Sequence, residues 1–174
     1  MKPIKIDLSG LKEFFEQLYI RRILLYALYL FLALVMQNML FTQIRPLGVC
    51  PMILPGVCVA VGMFEGSTWG AVFALILGIF ADMAYVENTV LFTILFPALA
   101  FAAGFACQFF VNRRFFAFMG LTAAASLVTA AVQMVTTAAG DAWSVSMLST
   151  VALQTLWSLP PSILAFFPPA RWIE

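Results

Sequence analysis

The stretch GMFEGSTWGAVFALILGIFAD, Gly62 to Asp82, decides the fold, because Gly62, Gly66, Gly70, Ala74, Gly78 and Asp82 recur at every fourth residue among Phe, Val, Leu and Ile. On a helix, residues four apart stack on one face, so this spacing predicts a groove of absent side chains that ends in a carboxylate. Glycine costs roughly 1 kcal/mol per helical position against alanine in water, so repeated glycines need a compensating gain. In lipid that gain is close approach. Hydrophobicity does not favour one apolar partner over another there, and van der Waals contact must do the holding. The sequence leaves two occupants open for the groove: another helix of this chain, or a helix of another protein.

Composition agrees with a lipid setting. The 174 residues are 64% hydrophobic and 10% charged, with a mean hydropathy of +1.03, against roughly 45–50% apolar content in a soluble domain. An all-α integral membrane protein is expected. The chain contains no His, which removes the commonest general base and metal ligand. Cys50, Cys58 and Cys107 lie in apolar runs without paired spacing and read as small hydrophobes, neither a disulfide framework nor a zinc site.

Outward from the glycine stretch, uncharged runs delimit a domain of six transmembrane helices over residues 23–170, at about 23–41, 46–64, 66–85, 89–111, 115–139 and 143–167. Residues 1–22 carry five basic residues among Leu and Phe at spacings of three and four, an amphipathic segment expected along the cytoplasmic interface. The apolar run that follows exceeds the ~7–15 residues of a signal-peptide core and has no small-x-small cleavage site, so the first span is expected to stay in the mature protein. Pro46, Pro51 and Pro55 punctuate the second segment, which is therefore expected to be irregular and packed against protein. Only 16 uncharged residues separate Glu65 from Asp82, a helix of about 24 Å against a ~30 Å hydrocarbon core. One of these carboxyls must lie at or inside the edge of the apolar layer.

Eight of the nine Lys and Arg residues fall on one side of six alternating spans, and only Arg45 falls on the other. The positive-inside rule then puts both termini in the cytoplasm. A re-entrant pairing of segments two and three, with four full crossings, leaves this distribution almost unchanged; six crossings are expected because the second run is long enough to cross.

Two polar side chains inside spans are candidate functional groups. Asp82 has three readings: a boundary residue that bonds a neighbouring helix end, a partner contact, or a handler of protons or substrate. Gln37, at the end of the first span, reads as an amide that joins two helices. Enzymatic chemistry finds little support. An intramembrane aspartyl site needs two facing carboxylates, a serine nucleophile needs a base, and phosphate-cradling loops and metal clusters are missing from the sequence. A pore would need a polar helical stripe, and none is expected.

Gln37, the pair Arg45-Pro46, AVGMFEGSTWGAVFALILGIFADM from Ala60 to Met83, and LWSLPPSILAFFPPAR from Leu156 to Arg171 together resemble the rod shape-determining protein MreD family. The resemblance covers most of the chain after residue 22, in length and segment order. It implies a non-enzymatic component of the bacterial cytoplasmic membrane, without cofactor or nucleic-acid partner. By this resemblance the chain binds an MreC-like bitopic protein and helps couple an actin-like filament to the peptidoglycan synthases of the elongation complex. Gly62, Gly66, Gly70, Ala74, Gly78, Asp82, Gln37 and Pro46 are then the expected packing or partner-contact residues. Six short spans are also similar to the substrate-binding subunits of energy-coupling-factor vitamin transporters. That alternative implies an outward-facing polar pocket.

Overall fold

The computed structural model describes residues 8–41, 43, 48–84, 90–109, 115–138 and 146–169, and every regular element among them is helical. Helix α1 runs from Leu8 to Val35 and continues into a π-helical segment, Met36–Phe41. The boundary expected at residues 22 and 23 has no counterpart in the backbone, which is helical straight through it. Then come α2 (Leu54–Glu65), α3 (Ser67–Ala84), α4 (Leu91–Phe109), α5 (Phe115–Ala138) and α6 (Ser146–Ala165).

Four of these helices have the length and apolarity to cross a membrane: Ile20–Phe41, Ser67–Ala84, Leu91–Phe109 and Phe115–Thr136. The protein is therefore a multi-pass α-helical membrane protein. Helix α6 is 20 residues long but more polar, and α2 has only 12 residues. Among the described residues of the expected second span, 46–64, the α-helix begins only at Leu54. Pro55 sits in the first turn of α2, where no backbone donor is needed and its fixed φ suits a helix start.

Helix α2 is the centre of the bundle. Every residue from Leu54 to Met63 is buried, as a helix that is apolar all round requires. Helices α3 and α4 pack on one another and on α2, while α5 and α6 form a second pair that also packs on α2. Helix α1 lies outside these and touches α2 and α3 lightly. Pro97 in α4 and Pro160 and Pro161 in α6 lie within continuous helix. At one end of the bundle, Phe166 gathers Phe64, Phe115 and Phe118 at ring-centroid separations of 5.2–5.8 Å.

Candidate functional site

The supports of α2 contain nearly all the residues singled out in the sequence. The first support is the corner between α2 and α3. Gly66 has φ +95 and ψ 168, a region open essentially to glycine alone. Its N–H donates to Gly62 O at 3.1 Å, and Gly70 N–H donates to Gly66 O at 2.9 Å, so the chain reverses with its backbone groups paired. The expected single-helix groove is corrected here. Gly62 belongs to α2, Gly70, Ala74, Gly78 and Asp82 belong to α3, and the strip is folded on itself at Gly66.

The folded strip is filled by its own chain. A Cβ on Gly70 would lie 2.5 Å from Gly62 Cα, and one on Gly62 would run into the carbonyl of Ala100 in α4. Gly104 of α4 answers from the other side, its absent Cβ falling 2.6 Å from Ser67 Cα. Farther along α3, a Cβ on Gly78 would meet Phe92 O at 2.6 Å, and Ala74 is fully buried. Of the two occupants left open by the sequence, this contact is made by helices of the same molecule. The small residues of α4 serve as the counterpart of those in α2 and α3.

Asp82 ends the strip as a cap. Its Oδ1 accepts from Phe92 N–H at 3.0 Å, and its Oδ2 accepts from Thr93 N–H at 2.8 Å and from Thr93 Oγ1 at 2.6 Å. The carboxylate, half-buried, thus satisfies donors of the first turn of α4, where the helix dipole favours negative charge. Both oxygens are engaged by the neighbouring helix end.

Gln37 supports α2 from the opposite end. Its Nε2 donates to Pro51 O at 3.2 Å and its Oε1 accepts from Ile53 N–H at 2.9 Å. Between these bonds, Met52 N–H donates to Ser158 Oγ of α6 at 2.9 Å. Residues 51–53 are buried and non-helical, and backbone of that kind is tolerated at membrane depth only where protein groups satisfy it. Gln37 therefore joins the π-helical segment to the lead-in of α2, and Ser158 holds that lead-in from the other side. Pro46, the remaining expected contact residue, lies outside the described residues, as does Arg45.

A charged group not picked out as a site closes the corner. Glu65, with only 9% of its side chain exposed, pairs with Arg22, 53% exposed, and accepts from the Tyr26 hydroxyl. Tyr29 Oη donates to Ala165 O at 3.1 Å one turn farther along. These polar ties add to the packing of α1, whose Tyr26 and Tyr29 rings lie against Phe73 and whose Ala33 reaches the core.

Sequence reading also missed a polar seam. Thr122, Ser126, Thr129 and Gln133 follow one face of α5, and Gln154, Ser158 and Ser162 follow one face of α6. Gln154 Nε2 donates to Gln133 Oε1 at 3.1 Å. The hydroxyls of Thr129, Ser158 and Ser162 donate back to the carbonyls of Ala125, Gln154 and Ser158. This stripe is turned inward, buried between helices of one chain. Its signal was present in the spacings of four and three, diluted because Ser and Thr score as nearly neutral.

Comparison with known protein families, with curated proteins and with solved structures returned no match.

Proposed function

We propose that this chain is a non-enzymatic, MreD-like component of a bacterial cell-elongation complex. It acts as a rigid membrane scaffold that an MreC-like bitopic protein binds. One observation carries the reading: segments that resemble the family from distant parts of the chain converge on one structure. Gln37 and Ser158 bracket the lead-in of α2, and the stretch from Ala60 to Met83 forms the α2–α3 corner and most of α3. Such convergence is expected of a motif that encodes one packing unit, and not of scattered hydropathy.

Six crossings fit this reading. Helix α2 covers about 18 Å, and its non-helical lead-in extends the path. The Arg22–Glu65 pair ties the α2–α3 corner to the basic start of the first span, the end assigned to the cytoplasm by the distribution of Lys and Arg. Because the glycine strip is consumed internally, the partner's contact lies on another face.

The test is copurification of the full chain with the MreC-like protein of the same genome, together with depletion in a rod-shaped host. Recovery of the pair and rounding of depleted cells are expected. Absence of both outcomes defeats the proposal. Labelling of Glu65→Cys from the cytoplasmic side, in a chain lacking its native cysteines, tests the six-crossing topology. The vitamin-transporter reading gains one observation, the α5–α6 polar seam, and predicts thermal stabilisation of the purified protein by a vitamin.

A further inference from the structure

Helix α1 outlasts the bundle it packs on. Its membrane span starts at Ile20, yet the helix starts at Leu8 and is unbroken through residues 22 and 23. Arg22 and Tyr26 stand level with Glu65, where α2 stops and the chain turns into α3. Toward the other end, Gln37 reaches the lead-in of α2, so α1 and α2 run antiparallel. The part of α1 before Arg22, about 21 Å of helix, therefore continues past the α2–α3 corner and out of the apolar layer.

The sequence of that part prolongs the face that α1 turns to the bundle. Within the span, this face carries the buried Tyr29, Ala33 and Gln37. At about 100° per residue, Leu8, Leu11, Phe15 and Leu18 fall within about 40° of Arg22, as Tyr29 and Ala33 do. Glu13, Glu16 and Gln17 fall on the far side. The spacings of three, four and three are those of a coiled-coil seam, with Leu8 and Phe15 at a, and Leu11 and Leu18 at d. Arg22 takes the next a position and is committed to Glu65, which closes the seam where the bundle begins.

An apolar seam standing in water needs a cover. The membrane surface fits poorly, since a helix that crosses the bilayer and then lies along it must break between the two parts, and α1 does not. A second copy fits poorly too. Its own α1, in the same orientation, would run on into the space of α2 and α3, where the Tyr26 and Tyr29 rings already lie against Phe73. A helix that ends at the corner meets no such obstacle. The positions flanking the seam, e and g, are Lys12, Phe14, Tyr19 and Arg21, so the charges there are both basic and favour acidic counterparts.

We infer that α1 before Arg22 is a docking seam for one short amphipathic helix of another protein. That helix is apolar at its own a and d positions, acidic along its flanks, and ends in water at the α2–α3 corner. The inference is independent of the scaffold reading, because any chain with this α1 presents the same seam.

The full chain in nanodiscs of uncharged phosphatidylcholine tests it, with a fluorescent two-heptad peptide carrying Leu at a and d and Glu at e and g as the probe. Saturable binding by anisotropy is expected, with empty nanodiscs giving none, and the same peptide with Lys in place of Glu is expected to bind at least about tenfold more weakly. Leu11→Asp with Leu18→Asp abolishes binding, and Gln17→Ala leaves it unchanged. Lys12→Glu with Arg21→Glu reverses the preference between the two peptides, a result that disturbed folding cannot imitate. Failure of the acidic peptide to bind, or binding that survives Leu11→Asp with Leu18→Asp, overturns the inference. Two further results also overturn it, in a chain lacking its native cysteines. A dye at Gln17→Cys that moves into an apolar environment when phosphatidylglycerol is added, with no peptide present, puts the segment on the membrane surface. Disulfide crosslinking between copies through Phe15→Cys makes a second copy the occupant.

Discussion

The two sides of α2 are held by opposite devices. Toward α3 and α4 the contact is made of absences: Gly62, Gly70 and Gly104 bring three backbones together, and Gly78 brings α3 against the start of α4. Toward α5 and α6 it is made of small polar groups, with Ser158 and Ser162 at the interface and Gln133 paired to Gln154 beyond it. Lipid explains why both exist. Water provides no drive to join two apolar helices inside a bilayer, so helices associate either by fitting closely or by exchanging hydrogen bonds. A close fit fails when atoms are added, because the obstacle is backbone and cannot move aside. A hydrogen-bonded seam fails when atoms are removed, and only by the worth of one bond.

Four substitutions break or sharpen this contrast. Gly62→Val is expected to be the most damaging, since its side chain must displace the Ala100 carbonyl. A loss of about 3 kcal/mol or more is expected, read as the disappearance of monodisperse protein in detergent. Parent-like behaviour would end the contrast. Asp82→Ala removes three hydrogen bonds from the start of α4 and is expected to cost about 2 kcal/mol in reversible unfolding. A negligible change would mean that the α3–α4 pair stands on its glycines alone.

Ser158→Ala leaves Met52 N–H without its acceptor and is expected to cost about 1 kcal/mol by the same measurement. A cost above that of Gly62→Val would invert the ranking of the two sides. Gly120→Ala is the smallest. Gly120 is helical and a Cβ there meets nothing within 4 Å, so a neutral or slightly stabilising result, up to about 1 kcal/mol, is expected. Damage at Gly120 would show that glycine matters here for something other than close approach.

Much of this architecture was legible in residue order. Helices α3, α4, α5 and α6 coincide with apolar runs bounded by Glu65, Asp82, Glu87, Arg113, Arg114 and Asp141, and such runs have few ways to sit in a bilayer. Gln37 was readable as a joining amide because an amide inside an apolar span must find partners. The second span was less legible. Pro51 and Pro55 signalled irregularity, but the point where helix begins depends on Gln37 and Ser158 arriving to satisfy residues 51–53, and those come from 14 and 106 positions away. The polar seam was missed for a related reason: Ser and Thr can bond their own helix, so their spacing does not announce whether they face lipid or protein.

By itself the sequence determined that this chain lives in a membrane as helices, and that backbones must meet closely somewhere between Gly62 and Asp82. Local chemistry suffices for both, because apolarity selects the solvent and a missing side chain selects the distance. Only tertiary structure decided that the strip bends at Gly66, that α4 fills it, and that Asp82 is spent on the next helix. A spacing of four names a face of a helix but not the neighbour across it, and that neighbour is set by how the other described helices share the space around α2.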